Sequence, residues 1–400
     1  MKVLQTVSRA LDWHKERHRP SGFGFALADG VDFLDGGAWD GLTRGGSVFL
    51  QRHYLRALEG WGPKNVSMRY ALLFKGRTPA AAVAMQSVKV SASDLIREGV
   101  KVPAALRKLE ARVIVCGNLL SWGQHAVAFA PGLDPAEIWP GVTEALYRVR
   151  RAEHLSGRTD FVMIKDLRAD DAPAEALKRF SYGPVETDPN MILDLSPSWK
   201  TFEDYLAGLH SKYRKNALKV GKDLEAAGVR LEPLTDFAGA APRLHQLYMQ
   251  VHDAAAVRPV TISPDYLPAL SAAFGPDLRC TVARRGGEIL GFVTTLKDGD
   301  EAVGYYIGFD RSKKDEVPLY FALLQATIAD AIAFGCRRLS LGRTALEPKA
   351  KLGALPVRTR IWIRHAAAPL NLVVSSLLSA VPHDEAPDRN PFKESAPAAN

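Results

Sequence analysis

Cysteine is scarce in this 400-residue sequence. Its three cysteines, Cys116, Cys280 and Cys336, are far apart and follow neither a pairing pattern nor the spacing of a zinc site. Their scarcity argues against a disulfide-stabilised scaffold and favours a reducing compartment. The sequence also lacks a Walker loop and a nucleophile elbow. His245 and His252 share a helix face without a carboxylate pattern around them, so we expect no metal site.

Long apolar runs are missing as well. No stretch reaches the roughly 18 apolar residues of a membrane span, and the nearest one, residues 366–382, is interrupted by Pro369, Asn371 and serines. The N-terminus contains no apolar core ending at a small-residue cleavage site. We therefore expect a cytoplasmic protein without a transmembrane segment. Apolar residues make up 47% of the chain and charged residues 24%, which is enough apolar material for one or two hydrophobic cores.

The net charge of +8 is concentrated in two stretches, residues 205–222 and 343–365. The first has no acidic residue, and the second has only Glu347. Two focused basic segments favour a site for a phosphate or another polyanion over a generally basic surface. The basic residues of these stretches are Lys212, Arg214, Lys215, Lys219 and Lys222, and Arg343, Lys349, Lys351, Arg358, Arg360 and Arg364.

An internal repeat is visible in the predicted elements. In each half of the chain an amphipathic helix is followed by two strands that flank a basic, glycine-containing turn. The helices carry the related sequences YLRAL (residues 54–58) and YLPAL (266–270), and the turns are Lys75-Gly76-Arg77 and Arg285-Gly286-Gly287. We interpret this shared order as a duplicated α/β unit, although any two helix–strand–strand units share part of it.

The repeat divides the chain into two domains, which we predict over residues 31–190 and 191–365. The boundary falls in a stretch rich in Pro, Ser and Asp, residues 188–197. Residues 366–400 form a separate tail, with an amphipathic helix followed by a disordered segment from His383. The helix can contact a membrane surface peripherally or pack on its own domain. Its apolar face consists of Leu370, Val373, Val374, Leu377 and Val381.

Three stretches of the second half carry a resemblance to a known family. They are the basic segment Leu209–Asn216, the strand Val303–Phe309, and the segment 341–354, in which Gly-Arg-Thr is followed by Lys and Gly. Together with the order of elements, they resemble the GNAT acyltransferase fold, in tandem copies like those of the FemABX-type peptidyltransferases and predicted N-acyltransferases. The resemblance implies an α/β fold of two GNAT-like units with mixed, mostly antiparallel sheets. It also implies a degenerate first unit and a catalytic second unit.

One segment departs from that family. Many GNAT enzymes have a glycine-containing loop after the central strand that holds the pyrophosphate of coenzyme A, but residues 310–318 contain no glycine. The N-terminus of the following helix can still hold a phosphate through its free N–H groups and dipole. Arg311, Lys313 and Lys314 would assist, whereas Asp315 and Glu316 oppose this. The donor stays open between acyl-CoA, an aminoacyl-tRNA and an acyl carrier.

A lysine stripe is the first candidate donor site. Lys212, Lys215, Lys219 and Lys222 are spaced three, four and three residues apart, so they lie on one face of a helix. Such a face suits a phosphate-rich donor, a tRNA backbone or an anionic lipid. The alternative is an ordinary solvated basic face. We assign Lys212 and Lys215 to donor binding together with Arg311, Lys313 and Lys314.

The candidate catalytic residues lie on the central strand and after the next one. Tyr305 and Tyr306 point to opposite faces of a regular strand, so one of them faces the cleft and can protonate the leaving group or orient the carbonyl. Arg343 suits bidentate binding of phosphate or carboxylate, and Lys349 suits stabilisation of charge in the transition state. Glu347 is a candidate base for the attacking amine, or pairs with Lys351. The competing interpretation is strand aromatics and exposed loop charges.

The resemblance and these residues predict a GNAT-type N-acyltransferase. It would move an acyl group from an acyl-CoA-like donor to an amine by direct attack, without a covalent enzyme intermediate. One alternative is a FemABX-like aminoacyltransferase that uses aminoacyl-tRNA on a cell-wall precursor. Another is a non-catalytic protein that binds a lipid or polyanion in the same cleft.

Overall fold

The computed structural model describes residues 19–91, 110–168, 174–255, 257–367, 370–371, 387 and 389–393. The strands are β1 (Gly24–Ala28), β2 (Val66–Lys75), β3 (Thr78–Ser91), β4 (Glu110–Cys116), β5 (Val127–Phe129), β6 (Phe161–Arg168), β7 (Gly183–Glu186), β8 (Asn190–Asp194), β9 (Arg230–Pro233), β10 (Leu278–Arg285), β11 (Glu288–Asp298), β12 (Glu301–Phe309), β13 (Arg338–Ser340), β14 (Leu355–Val357) and β15 (Thr359–His365). The helices are α1 (Gly36–Thr43), α2 (Arg52–Trp61), α3 (Pro135–Ala152), α4 (Ala174–Arg179), α5 (Phe202–Gly208), α6 (Ser211–Ala226), α7 (Phe237–His252), α8 (Tyr266–Phe274), α9 (Leu319–Ala333) and α10 (Leu346–Lys351).

Two mixed sheets form the framework. The first has the strand order β1-β2-β3-β4-β6-β15-β7, with β5 beside β3, and the second has the order β14-β8-β13-β12-β11-β10-β9. Among the described strands, each sheet has one parallel pair, β4 with β6 and β12 with β13, and its other pairs are antiparallel. The predicted α/β fold with mixed, mostly antiparallel sheets is confirmed.

Both predicted hairpins form at their glycine-containing turns. Lys75 pairs with Thr78, and Arg285 pairs with Glu288, so each turn has two central residues. Gly76 and Gly286 occupy the first central position with φ values of 65° and 61°. A positive φ at that position is what a two-residue hairpin turn requires, and glycine adopts it without a steric penalty.

The two matching helices of the repeat contact each other. Helix α2 packs on α8, and the hydroxyl oxygens of Tyr54 and Tyr266 lie 3.5 Å apart in the buried interior. These tyrosines occupy equivalent positions in YLRAL and YLPAL. Equivalent residues meet in this way across a two-fold interface. The two halves therefore share one hydrophobic cluster, to which both contribute buried side chains.

One strand from the end of the second half lies in the first sheet. Strand β15 pairs with β6 and β7 of the first sheet, although the predicted second domain extends through residue 365. Trp362 explains this placement, because it is buried in the first half's hydrophobic cluster together with Leu177 and Tyr182. The end of the second predicted domain is thus part of the first sheet.

A short part of the predicted tail packs on the second half. Phe392 contacts the rings of Trp199 and Tyr205, and the backbone on either side of it is hydrogen-bonded to residues 208 and 210. Most of the predicted amphipathic helix lies outside the described residues. Within the described part of the chain, none of the helices combines the length and the apolar character that crossing a membrane would need.

Candidate active site

A cleft opens where the parallel strands of the second sheet separate. Strands β12 and β13 pair only over Glu301–Val303 and Arg338–Ser340, and they diverge from Gly304 onward. A Cβ atom at Gly304 would lie 3.1 Å from Cγ2 of Thr327 on α9, so the helix approaches closely at this point. The cleft beyond it has a volume of about 490 Å³. Its apolar and aromatic lining includes Trp122, Val293, Tyr306, Ile307, Phe309 and Tyr320.

A β-bulge shapes one wall of the cleft. The register of β11 with β12 shifts between Val293 and Thr295, so that Thr294 alone faces Tyr305 and Tyr306. The Thr294 hydroxyl accepts a hydrogen bond from the Tyr306 N–H (2.9 Å) and donates one to the Tyr306 carbonyl (3.3 Å). A bulge breaks the alternation of side chains. The two tyrosine rings therefore lie 4.7 Å apart, and the prediction that they point to opposite faces is wrong.

The hydroxyl of Tyr305 belongs to a buried cluster that joins the halves. It is hydrogen-bonded to the hydroxyls of Tyr266 (2.9 Å) and Tyr54 (3.1 Å), and Asn118 donates to Tyr54 (2.7 Å). Burial raises the pKa of the Tyr305 and Tyr306 hydroxyls well above the usual value, so both are neutral donors. Because the Tyr305 hydroxyl is engaged in the cluster, Tyr306 is the better placed of the two to face a ligand.

Lys349 lines the same cleft and is nearly inaccessible to solvent. It lies on the short helix α10 with 3% of its surface exposed, between the buried residues Leu346 and Ala350. Among the described residues, its ammonium makes no hydrogen bond and no ion pair. Burial lowers the pKa of Lys349 to about 7. The cleft thus contains a cation without a counter-charge, which a ligand can provide.

Arg343 lies in the cleft wall, but its guanidinium contacts the first half. It forms a short ion pair with Asp166 and donates to the Thr359 hydroxyl at 2.7 Å. Asp166 is fully buried and is also paired with Lys165. The guanidinium and the ammonium hold the pKa of Asp166 below its usual value despite its burial. The structure therefore favours a role for Arg343 in joining the two halves over direct binding of substrate.

Trp122 is a residue that the sequence did not single out. It comes from the first half, yet its indole forms part of the cleft wall against Gly342. A Cβ atom at Gly342 would lie 2.7 Å from Nε1 of Trp122, and the φ of 79° at this position also favours glycine. The Lys165 ammonium donates to the neighbouring Ser121 carbonyl at 2.8 Å. No local sequence signal distinguishes Trp122 from any other aromatic residue in a loop.

Glu347 lies outside the cleft lining. Its carboxylate pairs with Arg389 at 2.9 Å and with Lys351 at 3.3 Å, and 38% of its side chain is exposed. The hydrogen bond with Arg389 is the main reason why its pKa is lowered. A base that acts near neutral pH works best with a pKa near that value. The position of Glu347 gives the predicted base role no support.

The predicted donor-binding residues fall into two groups. Arg311 lines the open end of the cleft, while Lys313 pairs with Glu316 at 3.1 Å and Lys314 is exposed beside it. Lys212 and Lys215 are exposed on α6 and do not line the cleft. The structure thus brings Tyr305, Tyr306, Arg311, Arg343 and Lys349 to one cleft and leaves the other predicted residues outside it.

Comparisons with known proteins give the context of this geometry. The family model described as an acetyltransferase (GNAT) domain matches residues 211–350. The solved structure of FemX is similar with a TM-score of 0.55 and 10% identity, covering 86% of this chain and 98% of that chain. A tandem GNAT protein from the clavulanic acid biosynthesis pathway is similar with a TM-score of 0.51 and 14% identity, covering 86% and 99%. These two likenesses are likenesses of fold.

A curated relative from Mycobacterium tuberculosis (strain ATCC 25618 / H37Rv) carries the name "Putative 8-amino-7-oxononanoate synthase 2". It is 26% identical over 270 residues, which is 65% of this chain. The chain spans about a third of that relative's length, 34%.

Proposed function

We propose that this chain is a GNAT-type acyltransferase built from two tandem units, and that its second unit transfers an acyl group from a thioester to an amine. The reaction would take place in the cleft between β12 and β13. The observation that carries this proposal is Lys349, a buried cation that has no ion-pair or hydrogen-bond partner among the described residues and lines a largely apolar cleft.

The proposed chemistry is a direct attack. The amine forms a bond to the thioester carbonyl carbon, and the carbonyl oxygen gains negative charge. The tetrahedral intermediate then collapses: the C–S bond breaks and the new C–N bond remains as the amide. The proton lost by the amine is taken up by the departing thiolate, which leaves as a thiol. A fixed ammonium in a water-poor cleft stabilises the developing oxyanion, which is commonly the largest electrostatic contribution to such reactions.

The side chains around Lys349 suit this step. Tyr306 is held neutral by its environment and lines the cleft, so its hydroxyl can donate to the carbonyl or to the leaving group. The bulge at Thr294 fixes the backbone of Tyr306. Trp122 and Arg343 close the side of the cleft that faces the first half. In this proposal the first unit supplies part of the wall rather than a second reaction centre.

The test replaces Lys349 with Met and, separately, with Arg. Acetyl-CoA and octanoyl-CoA serve as probes with a panel of amino acids and polyamines, and thiol release and product mass are measured. We expect K349M to lower turnover by about 10²-fold or more, as for the loss of one oxyanion donor. K349R should recover part of it, because a guanidinium keeps the charge but not the shape of the ammonium.

Melting temperatures of the variants serve as the control for folding. Equal turnover by the parent and a folded K349M would refute the assignment of Lys349. If the parent binds these donors in a Lys349-dependent manner but releases no thiol with any amine, the result favours the non-catalytic binding protein. Thiol release from neither donor, combined with aminoacyl transfer from charged tRNA, favours the FemABX-like alternative.

A further inference from the structure

One face of helix α6 is strongly basic, and the acidic residues of the helix, Asp223 and Glu225, lie in its last turn. The basic face consists of five cations and one exposed leucine, and we refer to these six residues as the α6 face. All are exposed, with Leu218 at 45% exposure. Within the described parts of the chain, none of the five cations is in an ion pair. The members of the α6 face are Lys212, Arg214, Lys215, Leu218, Lys219 and Lys222.

Helical geometry places Leu218 inside the charged surface. Arg214 and Lys222 lie one turn before and after it, and Lys215 lies three residues before it, so all three are its neighbours on the helix. The opposite side of α6 is apolar and is represented by the buried residue Leu224. The α6 face is therefore a cationic surface that includes one exposed apolar side chain, on a helix about 24 Å long.

The α6 helix lies directly behind one wall of the cleft. Its buried side packs against α9, and Gln325 of α9 donates a hydrogen bond to the Ala217 carbonyl at 3.2 Å. Tyr320 of α9 lines the cleft. Toward its C-terminal end, α6 packs with Leu224 against Val317, in the segment that follows Arg311 at the open end. The α6 face is on the outer side of this helix, so the arm of a partner bound there would reach the cleft past the segment of Arg311 and Val317.

The entrance itself is poorly equipped for a free coenzyme. The Asp310 side chain accepts hydrogen bonds from the Ser312 N–H and hydroxyl at 3.0 and 2.7 Å, which turns the loop back on itself. Lys313 forms an ion pair with Glu316 at 3.1 Å, so its charge is already neutralised. Residues 310–318 contain no glycine to expose successive N–H groups. Contacts away from this loop would therefore add to the affinity for a donor.

We propose that the α6 face docks an acidic acyl carrier protein, whose phosphopantetheine arm brings the acyl thioester past Arg311 into the cleft. This inference rests on the proposed acyl transfer and names the class of its donor. Charge complementarity supports it, because unpaired cations steer an acidic partner and set the register of docking. In the reaction the thioester C–S bond breaks, the amide C–N bond forms, and the carrier leaves as a free thiol.

Two features favour a protein partner over nucleic acid or a membrane. An exposed leucine within a basic surface suits an apolar side chain of a partner helix, whereas phosphate contacts need cations alone. The α6 face also has no exposed aromatic ring on which a base could stack, since Tyr213 packs against the core. A membrane-binding helix would expose a broad apolar face, but α6 exposes one large apolar residue.

The test measures binding of a fluorescently labelled acyl carrier protein charged with an octanoyl group, by anisotropy at several salt concentrations. We expect the parent to bind and K219E/K222E to bind at least about tenfold more weakly, with a reduced salt dependence. The matched control, R44E/R77E, changes two exposed arginines of the first half and the net charge by the same amount. It should bind within about twofold of the parent.

A second variant, L218S, separates the possible partners. It should weaken binding of the carrier, whereas loss of a leucine would not weaken binding of bulk tRNA, which depends on the cations alone. Anionic phospholipid vesicles are measured directly, because an inserted leucine contributes to their binding as well. No binding of the carrier by the parent, or equal binding by a folded K219E/K222E, overturns the proposal. Binding of tRNA or vesicles instead, with loss in K219E/K222E, also overturns it and assigns the surface to that partner.

The proposed acyl transfer and the proposed docking surface can be refuted separately. K349M keeps the α6 face intact, so it should bind the carrier as the parent does while losing turnover. If K349M turns over normally and carrier binding depends on the α6 face, the docking proposal stands and the role of Lys349 falls. If K349M is inactive and carrier binding does not depend on the α6 face, only the docking proposal falls.

Discussion

Among the described residues, each half buries one lysine beside its parallel pair of strands, and the two lysines differ in their partners. Lys165, in β6 of the first sheet, is paired with Asp166 and donates to the Ser121 carbonyl. Lys349, after β13 of the second sheet, has neither kind of partner among the described residues. Burial lowers the pKa of both, but Asp166 counteracts this for Lys165. A buried charge with partners can be structural, whereas one without partners is a candidate for binding or catalysis.

The surroundings of the two lysines show the same contrast. Beyond the parallel pair of the first sheet, polar side chains fill the space with hydrogen bonds. Gln86 accepts from the Leu119 N–H at 2.8 Å, and Asn118 donates to the Tyr54 hydroxyl. Beyond the pair of the second sheet lies an open cleft. The first unit has thus filled the position where the second is open. Its loop around Trp122 then completes the wall of the other unit's cleft.

The largest effect is expected for Asp166→Asn, which removes the carboxylate that pairs with Lys165 of the first half. Lys165 and Arg343 would remain buried without their shared counter-charge. Removal of one member of a buried ion network costs about 3–5 kcal/mol. We expect a loss of this size in the free energy of unfolding, measured by urea denaturation at neutral pH.

The matched control is Asp40→Asn, which removes a carboxylate paired with Arg52 at a more exposed position. Surface pairs contribute roughly 0–1 kcal/mol, so this variant should remain close to the parent. If Asp166→Asn is as stable as Asp40→Asn, the buried network is not what holds the halves together.

The two lysines should respond with opposite signs to replacement by Met. Lys349→Met removes a buried cation that has no partner, and a thioether of similar length fills its space, so the protein should become more stable. Lys165→Met takes one cation from Asp166 and should be destabilising, by about 1.5–3 kcal/mol for a hydrogen bond to a charged group. Equal signs for the two variants would contradict the contrast between them.

The gain in Lys349→Met should depend on pH. The pKa of Lys349 is about 7 in the folded protein, whereas an unfolded lysine titrates near 10.4. Between these values the unfolded chain holds a proton that the folded protein has released, so the parent becomes more stable as pH rises. The advantage of the variant is therefore largest at and below about pH 7 and declines toward pH 10. Denaturation of both proteins across this range measures the difference, and a difference independent of pH would contradict the lowered pKa.

Local chemistry explains which parts of the fold the sequence predicted. The hairpins at Gly76 and Gly286 are confirmed because a turn of two residues depends on its own residues. The resemblance of residues 341–354 also led to Lys349. Strand alternation failed at Tyr305 and Tyr306, because the bulge depends on Thr294 of the neighbouring strand.

The remaining features depend on contacts that are distant in sequence. The position of β15 in the first sheet and that of Trp122 in the cleft are set by partners in the other half. The absence of a partner for Lys349 is equally invisible in the sequence. A pattern of charged residues does not show which of them is buried away from a residue of opposite charge. The contrast between the two lysines therefore emerges only from the folded structure.

The smallest effect is expected for Glu347→Gln, which tests whether an acid beside Lys349 in sequence takes part in its chemistry. The side chains two residues apart on α10 have different environments, since Glu347 pairs with Arg389 and Lys351 at the surface. Its lowered pKa keeps it ionised and makes it a weak base. Turnover and melting temperature should match those of the parent, with Lys351→Gln as the control for loss of one surface pair. Loss of turnover in Glu347→Gln alone would mean that α10 turns to bring this carboxylate into the cleft, where it would become the counter-charge that Lys349 lacks. Lys349 would then be a paired lysine like Lys165, and its assignment to the chemistry would lose its main support.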